Sequence, residues 1–208
     1  CGALRHHLDE QEAALDDVRR NIDAWWPYVE GENGAAVEAI VMTASGCGVM
    51  VKDYAHLLAH DPAYADKAAR ISEVTRDLSE LLPALLPELK TRIRPQALAQ
   101  AGLQAFHPPC TLQHGQQLKG GVERCLSELG FEVKTASNEA HLCCGSAGTY
   151  SILQPELSQR LLANKIAALH AGKPAAIITA NIGCQSHLQT ATGLPVTHWI
   201  EALDARLA

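Results

Sequence analysis

The chain has 208 residues, enough for one or two domains, and 47% of them are hydrophobic, enough for a packed core. It carries 17 Lys and Arg against 23 Asp and Glu, and only 4% of its residues are aromatic. A mildly acidic chain with few aromatic rings is a poor binder of nucleic acid, and no apolar stretch approaches the ~20 residues that span a membrane.

The sequence of the first half of the chain predicts several helices and one buried strand. Apolar residues at helical spacing predict a helix from Asp9 to Trp26, and a branched apolar run predicts a strand from Val37 to Thr43. The glycines from Gly31 to Gly34 predict a turn between these two elements. Further helices are predicted from Val49 to His60 and from Ala63 to Leu82.

Prolines interrupt this pattern in the middle of the chain. Pro83, Pro87 and Pro95 follow one another closely, and proline does not continue a helix. We therefore place a domain boundary here, which gives one domain over residues 1–93 and a second over residues 94–208.

The second half alternates strands with helices. Strands are predicted at 103–106, 131–135, 175–180 and 195–199, and helices at 116–129, 155–170 and 200–207, with a further short helix directly after Cys184. A tight loop from Cys143 to Gly148 precedes the longest of these helices. Such alternation predicts an α/β fold with parallel sheets, in which ligands bind beyond the carboxyl ends of the strands.

The two halves resemble each other. Residues 39–47 and 176–184 each form an apolar run that ends in Gly-Cys. Each run follows a long helix, and each helix follows a Cys-Gly pair, Cys1-Gly2 or Cys144-Gly145. This repeat predicts two similar domains. Because the chain begins at Cys1 without a methionine or a secretory leader, we expect a piece of a longer polypeptide whose first domain is truncated at its N-terminus.

The seven cysteines carry the functional signal. Their odd number and one adjacent pair argue against a secreted disulfide framework and favour metal binding or redox chemistry. Cys110, Cys143, Cys144 and Cys184 lie in three loops at strand ends and are expected to converge. Thiolates favour iron–sulfur clusters or zinc, and the lack of a short Cys-x-x-Cys pair makes zinc the weaker choice.

With this spacing the chain resembles the family of cysteine-rich CCG proteins. In that family a Cys, a Cys-Cys-Gly triplet and a final Cys follow one another at intervals of thirty-odd residues, usually in two copies. The second copy here is Cys110, Cys143-Cys144-Gly145 and Gly183-Cys184, and the first copy retains Cys1-Gly2 and Gly46-Cys47. The sequences of residues 1–5, 21–27, 43–48 and 143–150 are most similar to those of the iron–sulfur subunits of glycolate oxidase.

This resemblance implies a fold, a cofactor and a set of partners. The fold would be two repeated Rossmann-like parallel-sheet CCG domains. The cofactor would be an iron–sulfur cluster of the 4Fe-4S type, with Cys110, Cys143, Cys144 and Cys184 as ligands and Cys1 and Cys47 serving the first copy. The chain would relay electrons from a flavoprotein subunit of a 2-hydroxyacid dehydrogenase toward quinone or another acceptor, and would not be catalytic alone. The expected location is cytoplasmic, peripheral at the inner membrane through the complex.

Two alternatives remain open. A thiol–disulfide reductase similar to heterodisulfide reductase would carry one more Cys three residues after the last ligand, where this chain has Met50 and His187. A structural zinc or interaction module is the other alternative. His187 is retained as a possible additional ligand, His107 as a loop or supporting residue, and Cys125 as an ordinary core thiol.

Overall fold

The computed structural model describes residues 1–32 and 34–208. The chain divides into two compact units, Cys1–Leu78 and Ser79–Ala208. Both units contain parallel strands connected through helices, so the fold is mixed α/β as predicted. The division comes earlier than the boundary predicted after residue 93. The turn predicted at Gly31 to Gly34 includes residue 33, which lies outside the described residues.

The first unit has two parallel strands and five helices among its described residues. These elements are α1 (Ala3–His7), α2 (Gln11–Val29), β1 (Ile40–Met42), α3 (Ser45–Lys52), α4 (Tyr54–Leu57), α5 (Ala65–Val74) and β2 (Thr75–Asp77). Strand β1 pairs with β2 so that Ile40 lies opposite Thr75. Helix α2 buries Val18 and Ile22, which lie four residues apart on one face, against the core that also contains Ile71.

The second unit is built around a four-stranded sheet. Its strands are β3 (Gln104–His107), β4 (Val133–Thr135), β5 (Ala176–Thr179) and β6 (Val196–His198). Its helices are α6 (Leu78–Arg92), α7 (Pro95–Ala99), α8 (Gly121–Glu128), α9 (Tyr150–Leu153), α10 (Pro155–His170), α11 (Ile182–Gln189) and α12 (Trp199–Asp204), with a π-helical turn at Thr111–Gly115.

The order of the strands in this sheet creates a crevice. The strands lie in the order β4-β3-β5-β6, and all three pairings are parallel. The connections from β3 and from β5 therefore lead to opposite sides, which leaves a switch point between them. Open α/β sheets bind their ligands at such a point, beyond the carboxyl ends of the strands. His107, at the end of β3, lies opposite Thr179, at the end of β5.

The helix predicted from Ala63 to Leu82 is wrong in part. Strand β2 interrupts it, and α5 ends at Val74. Pairing with β1 overrides the helical preference of this segment, because the backbone groups of Thr75–Asp77 are satisfied by a strand distant in sequence.

Of the three prolines predicted to break the pattern, Pro83 and Pro87 do not, whereas α6 ends at Arg92 and α7 begins at Pro95. Pro83 and Pro87 both lie inside α6. A proline within a helix removes one hydrogen bond at a cost of about 3 kcal/mol. Burial of Leu82 and Leu86 on the same helix contributes a comparable amount, since each buried leucine is worth about 1.5–3 kcal/mol.

Two other helices begin later than predicted because of the backbone before them. Helix α8 begins at Gly121 rather than at residue 116, since Gln117 and Gly120 have φ values of +58° and +71°. Helix α2 begins at Gln11 after Asp9, whose φ is +63°. The strands predicted at 37–43, 103–106, 131–135, 175–180 and 195–199 are all present, most of them shorter.

No helix in the described part of the chain is both long enough and apolar enough to cross a bilayer.

The packing of the second sheet gives a direct test of this fold. Ile177 lies in β5, between two neighbouring strands, and is fully buried, whereas Ile152 in α9 is 77% exposed. We expect Ile177→Ala to lower the free energy of unfolding by about 2–5 kcal/mol through lost burial and a cavity. The matched change Ile152→Ala should stay within about 0.5 kcal/mol, as urea unfolding would show. Equal losses in the two variants would contradict the burial of Ile177 within this sheet.

Candidate metal centre

Cys110 is positioned by the segment that leaves the central strand β3. All four residues of β3 are buried, and Cys110 is the N-cap of the π-helical turn at Thr111–Gly115. The Gln113 side chain donates through Nε2 to the carbonyl oxygen of Pro108 (3.1 Å) and to that of Ala140 (3.5 Å). Gln113 therefore ties the Cys110 segment to the segment that leads into the Cys-Cys-Gly triplet.

The triplet Cys143-Cys144-Gly145, here called the CCG loop, is held against α10. The Gly145 N–H donates to Sγ of Cys143 (3.3 Å), and Ser158 Oγ donates to the Gly145 carbonyl (2.8 Å). Gly145 has a φ of +92°, and a Cβ atom there would lie 2.5 Å from the Ser158 carbonyl oxygen. Only glycine lets this loop approach the helix so closely while turning one amide toward a thiol sulfur.

Cys184 lies within a helix rather than before one, which corrects the prediction. Helix α11 begins at Ile182, so Cys184 is its third residue. Asn181 caps the helix by accepting a hydrogen bond from the Gly183 N–H (3.1 Å). A thiol in the first turn is favoured as thiolate by the partial positive charge of the helix N-terminus.

The four thiols from these three segments interact with one another. Cys143 contacts Cys110 and Cys144, and Cys144 in turn contacts Cys184. Hydrogen bonds from the neighbouring thiols lower the pKa of Cys143 and of Cys184. The hydrogen bonds to these two groups, together with burial, raise the pKa of Cys110 and of Cys144.

The opposite pKa shifts of these thiols indicate that the site needs a bound cation. The pKa values of neighbouring thiols are shifted in opposite directions, because four adjacent thiolates would repel one another in a buried environment. A cation that binds sulfur removes this repulsion and allows all four to ionise. The donor set is therefore suited to a thiophilic metal centre.

His107 joins the same centre. Its imidazole is fully buried, and neither ring nitrogen has a hydrogen-bond partner among the described residues. One nitrogen of His107 and the sulfurs of Cys144 and Cys184 all lie within 4.8 Å of one another. A buried polar ring without a partner is costly, so the structure places a group with an unused lone pair beside the thiols.

His187 contacts Ser158, the residue that holds the CCG loop against α10. It lies one turn after Cys184, and its Nε2 is 3.2 Å from Ser158 Oγ. Because the single hydroxyl hydrogen of Ser158 goes to the Gly145 carbonyl, Nε2 of His187 is the donor in this contact. Its side chain thus reaches the CCG loop through Ser158.

The first unit brings its two predicted residues together as well. The sulfurs of Cys1 and Cys47 are 3.5 Å apart. The buried Tyr54 hydroxyl donates to the Cys1 carbonyl (3.1 Å) and accepts a hydrogen bond from Asn21 (2.9 Å). No third metal-ligating side chain joins this pair among residues 1–32 and 34–208. All seven cysteines of the chain are free thiols.

Cys125 lies apart from both groups. It is buried on α8 beside Val122 and Leu126, in keeping with its prediction as a core thiol. Burial is the main cause of its raised pKa.

Three supporting residues were missed or undervalued from the sequence. His107 was placed in a loop, although it ends a fully buried strand. Ser158 and Lys165 were not singled out, although both occupy the buried stripe of α10. Polar residues at the apolar positions of an amphipathic helix are the signal that would have found the latter two.

The cysteine-rich segment matches a known family. Residues 104–189 match CCG, described as a cysteine-rich domain, and this segment contains Cys110, the CCG loop and Cys184. The matched segment makes up most of the second unit.

Curated proteins that resemble the chain are named as iron–sulfur or lactate-utilization proteins. The "Glycolate oxidase iron-sulfur subunit" of Escherichia coli is 50% identical over the whole chain. The "Probable glycolate oxidase iron-sulfur subunit" of Bacillus subtilis is 31% identical over 88% of the chain. "Lactate utilization protein A" of Bacillus licheniformis is 26% identical over 99% of the chain and 83% of its own length. The chain spans 48% and 39% of the first two proteins, respectively.

The geometry of the CCG loop predicts opposite outcomes at its two nearby glycines. Gly145→Ala should lower the free energy of unfolding by about 2–5 kcal/mol, because left-handed strain adds to a clash with the Ser158 carbonyl. Gly148 also has a positive φ, of +58°, but faces open space. Gly148→Ala should therefore cost only the strain, about 1–2 kcal/mol, in the same urea experiment. A Gly145→Ala variant as stable as Gly148→Ala would show that the loop does not lie against α10.

Proposed function

We propose that this chain is part of the iron–sulfur subunit of a flavin-dependent 2-hydroxyacid dehydrogenase, with glycolate as the favoured substrate of the complex. The observation that carries the proposal is the convergence of Cys110, Cys143, Cys144 and Cys184 at the switch point of a parallel sheet. Identity of 50% to the Escherichia coli glycolate oxidase subunit supports the choice of substrate.

The four thiols of the second unit would ligate an iron–sulfur cluster of the 4Fe-4S type. Such a cluster supplies one-electron transfer when it is bound. The chain itself would hold the thiolates, donate the Gly145 N–H to Cys143, and exclude water around the buried Cys144 and Cys184. Hydrogen bonds to sulfur and burial are the means by which a protein tunes such a centre.

The two units would be two copies of the CCG domain. Gly2 and Gly145 both have positive φ, and a Cβ atom on either would meet the carbonyl oxygen of the fourth residue of the following long helix, Ala14 or Ser158. Cys47 and Cys184 are both the third residue of a helix that follows a parallel strand. These equivalences support Cys1 and Cys47 as ligands of the first copy.

The chemical oxidation of the 2-hydroxyacid would take place on a flavoprotein partner. The sequence shows no fingerprint for flavin or nicotinamide, so this chain would pass electrons from the partner toward quinone. A cytoplasmic location, peripheral at the inner membrane through the complex, fits because free thiols persist in a reducing compartment.

A structural zinc site is the second candidate, and one observation favours it. His107, Cys144 and Cys184 offer nitrogen and sulfur donors within 4.8 Å of one another, a donor set that zinc accepts. The zinc site would leave Cys110 outside the ligand set, whereas the cluster requires it. The effect of changing Cys110 therefore separates the two candidates.

Metal analysis of cysteine variants tests the cluster. After anaerobic purification, serine at Cys110, Cys143, Cys144 or Cys184 should each lower iron and sulfide content sharply, because serine oxygen replaces thiolate poorly for iron. Cys125→Ala is the matched control and should keep the cluster, at a cost of about 1 kcal/mol for a small cavity. Stoichiometric zinc without iron, unaffected by Cys110→Ser, would overturn the proposal in favour of the zinc site.

Activity measurements test whether the substrate is oxidised by the flavoprotein partner rather than by this chain. The purified chain should not oxidise glycolate with an artificial electron acceptor, because it would act only as a relay. Addition of the flavoprotein partner should restore turnover. Steady glycolate oxidation by the chain alone would contradict the assignment of the substrate site to the partner.

A further inference from the structure

Lys165 is buried in the middle of α10, where a charged side chain is unexpected. The buried stripe of this helix consists of Ser158, Leu162, Lys165 and Leu169. Only 2% of Lys165 is exposed. Lysine is almost never fully buried unless its charge is paired, because an ammonium loses its hydration.

The hydrogen bonds of Lys165 do not neutralise its charge. Its Nζ donates to the carbonyl oxygens of Glu139 (2.8 Å) and Ala140 (3.3 Å), in the segment that leads into the CCG loop. These are dipoles rather than anions. Within the part of the chain that the structure describes, Lys165 forms no salt bridge with a carboxylate.

Apart from the exposed Glu139, the acidic groups that influence Lys165 are thiols of the metal centre. Leu162 and Leu169, which flank Lys165 on its stripe, pack in the same core cluster as Cys144 and Cys184. Burial lowers the pKa of Lys165, and the charges of Cys144, Cys143, Glu139 and Cys184 oppose that shift. Glu139 is itself an exposed residue.

We propose that the Lys165 ammonium is the internal counter-charge of the thiolate centre. It also positions residues 139–140, which lead into the CCG loop. The proposal rests on the proposed function in the identity of the metal, since an iron–sulfur cluster held by four thiolates is anionic, whereas Zn²⁺ held by two thiolates and His107 would be neutral. Reduction adds one electron and makes the centre more negative. A nearby buried cation therefore stabilises the reduced form more than the oxidised form and raises the reduction potential.

Three variants separate the charge of Lys165 from its hydrogen bonds. Lys165→Met removes both the charge and the donors. Lys165→Gln removes the charge but keeps an amide donor for the carbonyls of residues 139–140. Arg160→Met removes a positive charge from an exposed position of the same helix, where water and salt screen it, and serves as the matched control.

A potentiometric titration with dithionite, followed by electron paramagnetic resonance, provides the readout. We expect both Lys165 variants to have a lower midpoint potential than the unaltered chain, and Arg160→Met to match it. An unchanged potential in Lys165→Gln, with or without a change in Lys165→Met, would overturn the counter-charge role. A shift of equal size in Arg160→Met would overturn it too, because the effect would not depend on burial.

A second measurement decides the proposal if a variant loses its cluster. In metal-free protein at fixed pH, iodoacetamide labelling mapped by mass spectrometry should be severalfold slower at the partly exposed Cys143 in both Lys165 variants. Cys125 is the internal control and should label at an unchanged rate. Equal labelling of Cys143 in all proteins would overturn the proposal, whereas an unaltered chain that contains zinc and no iron would overturn only the proposed cluster.

Discussion

Mutual repulsion among closely spaced thiolates is the constraint on which this structure depends. Four sulfurs from three segments meet in a largely buried site, and they cannot all ionise there without a positive charge nearby. Several groups that carry positive charge or partial positive charge, or that can bind a metal, surround this site. These are the Gly145 amide, the first turn of α11, the imidazole of His107 and the ammonium of Lys165.

Helix α10 organises most of these contacts from a single buried stripe. Its apolar members, Leu162 and Leu169, pack against the core that contains Cys144 and Cys184. Its polar members hold backbone carbonyls of the incoming segment, Ser158 at Gly145 and Lys165 at residues 139–140. The same helix face therefore supplies both the hydrophobic burial that stabilises the unit and the positioning of the ligand loop.

The sequence was sufficient to predict the elements whose signals are local. The strands, helix α10 and the convergence of Cys110, Cys143, Cys144 and Cys184 follow from periodicity and from the rule that sites form at strand ends. Strand β2 could not be predicted, because its stability comes from pairing with β1 more than thirty residues earlier. The effect of Pro83 and Pro87 was predicted wrongly, because burial of Leu82 and Leu86 offsets their local cost. Lys165 was missed and His107 was undervalued, because their importance lies in burial, which depends on packing rather than spacing.

X-ray absorption at the iron and zinc edges of the anaerobically purified chain tests the central claim most directly, because it reports the atoms bound to the metal. The account predicts iron with sulfur as its nearest neighbours, together with iron–iron scattering from a multinuclear cluster. Mononuclear zinc with a mixed sulfur and nitrogen shell would contradict it, and would instead show that His107, Cys144 and Cys184 form a structural site.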